Sequence, residues 1–158
     1  MARIDVIKPY VEKVVAEYLG TPPGELHVDD DGSIPIRRGS TAYFVRLLDG
    51  EPPLVQVYST MLYEVPKSPE LLERLNEINA ATMFAKAFWT GEQIVVATEM
   101  VADSIDKDQI ANACGIVGSV ADHYDDELQG SFGGQRIFNE EAGAEGKPDA
   151  DADVPGYM

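Results

Sequence analysis

Three aspartates in succession are the first residues whose types suggest metal chemistry. Asp29, Asp30 and Asp31 precede Gly32, as at the start of a calcium-binding loop. A complete loop needs further oxygen ligands at fixed offsets and a closing glutamate, which the following residues do not supply. Aspartate bonds its own backbone and glycine accepts a positive φ, so this composition is also typical of a tight turn. The sequence predicts a turn here.

A second acidic group lies near the end of a predicted helix, where Asp122, Asp125 and Asp126 flank His123. Carboxylates at this end oppose the helix dipole, and a divalent metal would offset their repulsion. The simpler interpretation is a solvated acidic helix end. The only other histidine is His27, and neither histidine has the spacing of a zinc site or a catalytic triad. We therefore predict no metal site.

The nucleophile candidates are equally few. Cys114, the single cysteine, falls on the apolar stripe of a predicted helix, where a buried and unreactive thiol is expected. No glycine-rich phosphate loop stands between a strand and a helix. The sequence therefore predicts no catalytic residue and no cofactor, and we do not expect an enzyme.

Charge and composition narrow the classes of partner. The chain has 158 residues, enough for one domain with a substantial core. Its net charge of −16 disfavours nucleic acids and anionic membranes, because both select basic surfaces. A single cysteine cannot form an internal disulfide, and no signal peptide or membrane-spanning apolar run is present. We expect a soluble cytoplasmic protein.

The first half of the chain is predicted to form a helix and a strand meander. Apolar residues at helical spacing indicate a helix over residues 3–19, and Pro9 favours a start close to it. The predicted strands cover residues 26–28, 33–37, 42–48 and 54–63. Pro35 cannot donate a ladder hydrogen bond, so its strand is expected at a sheet edge.

The second half is predicted to form a helix, a hairpin and a long helix. Ser68 is the expected N-cap of the first of these helices. Asn79, near its end, favours either fraying or a bond to the hairpin backbone. The hairpin is expected over residues 84–101, with its turn at Gly91. A capping box at Asp106 then starts a helix that reaches about residue 128.

Apolar residues occur on both faces of the two longest predicted strands. Such strands are covered by helices on both sides, or one side is an interaction surface. If the outer face is open, alternation assigns five residues to its contact surface. They are Tyr58, Leu62, Val95, Ala97 and Val101.

The C-terminal end differs in composition from the rest. Residues 139–158 contain six acids and one lysine, with few apolar residues. This composition is typical of disorder. We therefore predict one domain over residues 1–138 and a disordered acidic tail over residues 139–158.

Two features of the sequence resemble the YbjN family. One is the run Leu-Asn-Glu-Ile-Asn at residues 75–79, which precedes an aromatic-rich hairpin. The other is a closing helix that ends at residues 132–134, Phe-Gly-Gly. These bacterial proteins are grouped with type III secretion chaperone-like domains. The order of elements over residues 3–134 agrees as well. The resemblance implies an α+β fold, with helices packed on one side of a curved antiparallel sheet. It also implies a homodimer that binds an extended peptide or a partner protein without catalysis.

Two functional hypotheses follow. In the first, the chain is a homodimeric binding module, and its apolar sheet face receives an unknown protein or peptide client. The net negative charge favours basic clients. In the second, the chain is a regulatory or structural adaptor whose apolar face serves only self-association, so that the acidic tail is its remaining contact.

Overall fold

The structure is a computed structural model that describes residues 3–38 and 41–136. The tail predicted over residues 139–158 lies outside the described residues. In the described part, the helices are α1 (Arg3–Leu19), α2 (Pro69–Ala81) and α3 (Lys107–Phe132). The strands are β1 (Ile34–Arg38), β2 (Thr41–Leu48), β3 (Leu54–Leu62), β4 (Lys86–Thr90) and β5 (Gln93–Val101).

The five strands form one sheet in the order β1-β2-β3-β5-β4, and every neighbouring pair is antiparallel. β1 and β4 are the edge strands, and the edge position of β1 was predicted from its proline. β3 and β5 lie inside the sheet and carry apolar residues on both faces. The α+β class and the order helix, meander, helix, hairpin, helix are confirmed.

All three helices contribute to a hydrophobic core on one face of the sheet, which we call the helix-side core. From the helices it takes Val15 of α1, Leu71 of α2 and Val117 of α3, among others. From the sheet it takes residues such as Val57 and Val96. Helix α3 lies over β3 and β5, the two interior strands. The predicted packing of helices on one side of the sheet is confirmed.

Local signals in the sequence set several element boundaries. The Ser68 hydroxyl accepts a hydrogen bond of 3.1 Å from the backbone N–H of Leu71. The Asp106 carboxylate and the Gln109 side chain form the predicted capping box. Gly91 and Glu92 both have positive φ and join β4 to β5 in a two-residue turn, whose twist matches the flanking strands. These contacts satisfy helix-end N–H groups and fix the hairpin register.

Some boundaries differ from the prediction. Helix α1 begins at Arg3 and continues through Pro9, because the buried Val11, Val14 and Val15 hold the following turns against the core. Residues 26–28 are not a strand. Their apolar side chains pack against the core from an irregular segment.

Two further differences concern the hairpin and the last helix. β4 begins at Lys86, because Phe84 has φ +67°, which is incompatible with a strand. The hairpin therefore starts two residues later than the expected residue 84, and Phe84 lies outside it. Helix α3 extends to Phe132, where Gly133 with φ +81° ends it.

The two central glycines of α3 differ in their surroundings, and this gives a test of the packing. A Cβ at Gly118 would lie 2.2 Å from the Tyr43 Oη, whereas a Cβ at Gly115 would meet nothing within 4 Å. We expect Gly118→Ala to lower the free energy of unfolding by about 1–3 kcal/mol through overpacking. Gly115→Ala, the matched control, should raise it by up to about 1 kcal/mol. Urea denaturation measures both, and equal effects would contradict the packing of α3 on β2.

Candidate protein-binding surface

The sheet face opposite the helix-side core has a distinct set of side chains. Alternation along each strand and the register between strands place them there. We call this surface the outer face. Its residues are Pro35, Arg37, Ala42, Phe44, Arg46, Leu48, Leu54, Gln56, Tyr58, Thr60, Lys86, Phe88, Thr90, Gln93, Val95, Ala97, Glu99 and Val101.

The middle of the outer face is an apolar cluster built across three neighbouring strands. Phe44, Tyr58 and Ala97 lie side by side in register on β2, β3 and β5. The Phe44 and Tyr58 rings stack with their centroids 5.5 Å apart. With Val95 they are buried, yet the cluster contains strand residues only. The sheet therefore has a second apolar surface to which its described helices do not contribute.

A chain of polar side chains crosses the outer face beside this cluster. Arg46 Nε donates to Gln56 Oε1 at 3.0 Å, and Gln56 Nε2 donates to Glu99 Oε2 at 2.9 Å. Lys86 Nζ lies 3.1 Å from Glu99 Oε1. The Arg46 guanidinium also sits 5.3 Å from the Tyr58 ring centroid, within cation–π range. The network holds its charged groups beside the apolar cluster in fixed positions.

The local charge of the outer face is opposite to that of the whole chain. Its strand residues include three basic side chains, Arg37, Arg46 and Lys86, and one acidic side chain, Glu99. The chain as a whole has 12 basic and 28 acidic residues. An anionic group that reaches this face meets a favourable potential despite the net charge of −16.

The structure brings together three of the five predicted contact residues. Tyr58, Val95 and Ala97 all belong to the apolar cluster. Val101 points to the same face at one end of β5, opposite Leu54, and is 44% exposed. It extends the surface rather than completing the cluster.

Leu62 does not lie on the outer face, so its predicted position is wrong. The register of β3 against β5 shifts between Thr60 and Leu62, where a β-bulge adds one residue. The extra residue pairs Leu62 with Ile94, and both side chains enter the helix-side core. Simple alternation along β3 had no means of locating this shift.

The edges of the sheet are less available than its outer face. At the β4 edge, Asn79 of α2 donates to the Ala87 carbonyl at 2.9 Å and accepts from the Ala87 N–H at 2.8 Å. This side chain occupies the positions that an added strand would use, so the interpretation of Asn79 as a hairpin partner is correct. At the β1 edge, Pro35 lacks the N–H that an added strand would need.

A cleft adjoins the outer face where α1 passes the ends of β1 and β2. Its volume is about 300 Å³, at the low end of the range for small-molecule sites. Ile4, Val11 and Val45 give it apolar walls, and its charged lining is balanced between two basic and two acidic residues, Lys8, Arg46, Glu12 and Asp31. It is large enough to hold one bulky side chain of a bound segment.

The residues first considered for chemistry serve structural roles in the described chain. The 29–32 segment is a turn, closed by the bond of 2.8 Å from the Gly32 N–H to the Asp29 carbonyl. Asp125 and Asp126 form ion pairs with Arg136. Burial raises the pKa of the Cys114 thiol to about 11, which keeps it protonated at neutral pH. Among the residues described, no group of three or more His, Cys, Asp or Glu side chains is placed to hold a metal ion.

Sequence reasoning missed the polar network of the outer face. Arg46 and Phe44 alternate with core residues along β2, so their face was predictable. The partners of Arg46 were not, because the bonds to Gln56 and through it to Glu99 depend on the register of three strands. No sequence signal fixes that register.

A family model described as T3SS (YopN, CesT) and YbjN peptide-binding chaperone 1 matches residues 5–140. The chain belongs to this family. The membership confirms the resemblance drawn from the hairpin and the closing helix. No curated protein matches the sequence.

Solved structures share the fold of this chaperone family member at low sequence identity. The ExsC–ExsE complex matches with a TM-score of 0.59 and 12% identity over 81% of this chain and 97% of the other. The Yersinia pestis type III secretion chaperone SycH, bound to a fragment of YscM2, matches with a TM-score of 0.55 and 10% identity over 73% of this chain and 98% of the other. YbjN from E. coli matches with a TM-score of 0.51 and 15% identity over 75% of this chain and 91% of the other. In the described part of our chain, no helix is long and apolar enough to cross a membrane.

The role of Asn79 at the sheet edge can be tested by substitution. Asn79→Ala removes two hydrogen bonds and leaves the backbone groups of Ala87 without this partner. We expect a loss of about 1–2 kcal/mol in the free energy of unfolding. Asn76→Ala, an exposed asparagine one turn earlier in α2, controls for helix propensity. Equal unfolding midpoints in urea for the two variants would show that Asn79 does not protect the edge.

Proposed function

We propose that the chain is a non-enzymatic, cytoplasmic binding protein that holds an extended segment of a client protein on its outer face. The observation that supports it most directly is the apolar cluster of Phe44, Tyr58, Val95 and Ala97, on a face to which no described helix contributes. The chain belongs to a family of peptide-binding chaperones. Two of the similar structures are complexes of two proteins, ExsC with ExsE and the chaperone SycH with a fragment of YscM2.

The outer face favours a client segment of mixed character. Its apolar cluster takes aliphatic or aromatic side chains, and Arg37, Arg46 and Lys86 attract carboxylates. The net charge alone favours basic clients, but charges close to the bound segment act more strongly than distant ones, which are screened by salt. We infer that the client carries apolar and acidic residues two positions apart, because successive side chains of an extended chain point to opposite sides and only every second one meets the face.

The client is expected to lie across the outer face instead of extending the sheet. Main-chain pairing at an edge is the usual alternative for extended peptides. Here the Asn79 side chain occupies the middle of the β4 edge, and Pro35 interrupts the β1 edge. The cleft beside α1 gives the segment one deeper anchor point.

A peptide selection tests this proposal. A phage-displayed library of random linear peptides is panned on the immobilised full-length protein, and a recovered peptide is labelled for fluorescence anisotropy. We expect recovered sequences to carry apolar and acidic residues at positions i and i+2, on one side of the extended peptide. Phe88→Ala combined with Val101→Ser should weaken binding at least about tenfold, equivalent to about 1.4 kcal/mol, because both side chains lie on the outer face.

Val6→Ser is the matched control, because Val6 is an exposed apolar residue on α1. It should leave the affinity unchanged. Thermal unfolding of each variant shows whether the fold is intact. Recovery of no common pattern, or equal affinity for the outer-face double variant and the control, would overturn the proposal.

We further propose that the protein is a homodimer that associates through the segment between α2 and β4, leaving the outer face to the client. Met83 and Phe84 are 79% and 82% exposed, the largest values among the bulky apolar residues that the structure describes. Leu72, on α2, is also exposed. Exposed apolar groups of this kind mark protein contacts, and a two-fold axis would bring two copies of the segment together.

Light scattering of the purified protein tests the dimer. We expect a mass of twice 17.2 kDa for the natural chain, and of 17.2 kDa for Met83→Ser combined with Phe84→Gly. Glycine suits the φ of +67° at position 84, so the double variant loses the apolar contact without added backbone strain.

The outer-face double variant supplies the opposing outcome. If Phe88→Ala with Val101→Ser dissociates the dimer while Met83→Ser with Phe84→Gly does not, the outer face is the self-association surface. That result would favour the regulatory or structural adaptor over the client-binding protein.

A further inference from the structure

We propose that the acidic C-terminal segment, residues 137–158, docks on the outer face of its own chain. The segment would occupy the surface assigned above to a client, with its carboxylates near the basic side chains and its apolar residues on the cluster. Four observations support this intramolecular contact: the path of the chain, the charge of the face, the burial of the cluster and the composition of the segment.

The described chain ends at one end of the sheet, beside the residue that follows β3. Gln135 forms an antiparallel bridge with Tyr63, with N–H···O distances of 2.7 and 2.8 Å. Tyr63 directly follows β3, the central strand, at the end of the sheet where Thr60 and Val95 pair. The remaining 22 residues therefore start at the end of the sheet, three residues of β3 and its extension beyond the Thr60–Val95 pair. An extended chain advances about 3.3 Å per residue, and five strands span about 20 Å, so the segment is long enough to cross the sheet.

Charge complementarity matches the segment to the face. Residues 137–158 contain six acids, Glu140, Glu141, Glu145, Asp149, Asp151 and Asp153, and one base, Lys147. The outer face has three basic side chains, in a chain with a net charge of −16. On the described surface of such an acidic protein, a face with a basic excess is the favourable place for an acidic segment.

The burial of the cluster supports an occupant. Phe44 and Tyr58 are only 3% and 2% exposed, although the described helices contribute to the opposite core. One face of an antiparallel sheet that is open to water normally presents polar side chains. An apolar face with buried aromatic rings is instead typical of a covered surface.

The composition of the segment suits a docked role. Its few apolar residues include Ile137 and Phe138 at the start and Val154, Tyr157 and Met158 near the end. They are too few to form a separate core, so the segment gains order only by packing on another surface. The apolar residues at the two ends of the segment suit the apolar part of the outer face. The acids between them suit its basic side chains.

Paramagnetic relaxation measurements on the full-length protein test the docking. A nitroxide is attached to Ala152→Cys in a Cys114→Ser background, and NMR signals of the rest of the chain are recorded. We expect a selective loss of the signals of Lys86, Val95 and Ala97, on the outer face. The signals of Ala111 and Gly115, exposed on α3, should remain. Raising the salt from about 0.05 M to about 1 M shortens the Debye length to about 3 Å and should restore part of the loss.

Two double variants test whether the segment is attracted to the basic side chains of the outer face or to any basic residue of the protein. Arg46→Gln with Lys86→Gln should abolish the selective loss, because it removes two of the three basic side chains of the face. Lys13→Gln with Lys107→Gln, which removes two exposed lysines from α1 and α3, should leave it intact. Replacing the six acids of the segment with amides tests the same contact without any change in the folded region.

Two results would overturn the proposal. An equally weak effect on the outer face and on α3 would mean that the segment does not dock. A selective loss that appears only when isotope-labelled chains without nitroxide are mixed with nitroxide-labelled chains would mean that the segment reaches a second copy of the protein.

The docked segment would compete with a client, a consequence that rests on the proposed function. Replacing its six acids with amides should then tighten binding of a peptide recovered in the selection. Docking observed without peptide binding would overturn the proposed function alone. Peptide binding that is unaffected by the six replacements, with no selective loss of signal, would overturn the docking alone.

Discussion

The fold depends on the burial of one sheet face under three helices. β3 and β5 carry apolar residues on both faces, and the helix-side core contains the residues of only one of these faces. Val96 of β5 packs into that core, while its neighbours Val95 and Ala97 point to the outer face. Removing such side chains from water stabilises by about 25 cal/mol per Å². The apolar cluster is already almost fully buried, so a partner that covers the outer face gains this energy mainly where apolar side chains remain exposed, as Val101 does at 44%.

Charge gives that surface its selectivity. Burial alone would accept any apolar segment, including a second copy of the chain. The network from Arg46 through Gln56 and Glu99 to Lys86 holds its charges in fixed positions, so little ordering is needed when a partner arrives. A partner must then present carboxylates where the basic side chains lie. In a protein of net charge −16, this local excess of positive charge also distinguishes the outer face from the acidic surface around it.

Local signals predicted most of the fold, because they act within a few residues. Ser68 and Asp106 cap helices through contacts to residues three positions ahead, and Gly91 sets a two-residue turn. Alternation assigned Tyr58, Val95 and Ala97 to one surface for the same reason. Leu62 was misplaced because a β-bulge is a property of two paired strands, not of one. The polar network escaped prediction for the same cause, since it joins β2, β3, β5 and β4.

An attached segment changes how strongly the outer face binds its partners. A segment on a short flexible linker has an effective concentration of about 1 mM at a nearby site. With an intrinsic dissociation constant of about 1 mM, it would occupy the face half of the time and lower the apparent affinity of a client only about twofold. This factor is the same for every client, so weak docking leaves the order of client affinities unchanged. Its effect is on occupancy: a client present far above its dissociation constant still fills the face, whereas one present near its dissociation constant loses part of its occupancy.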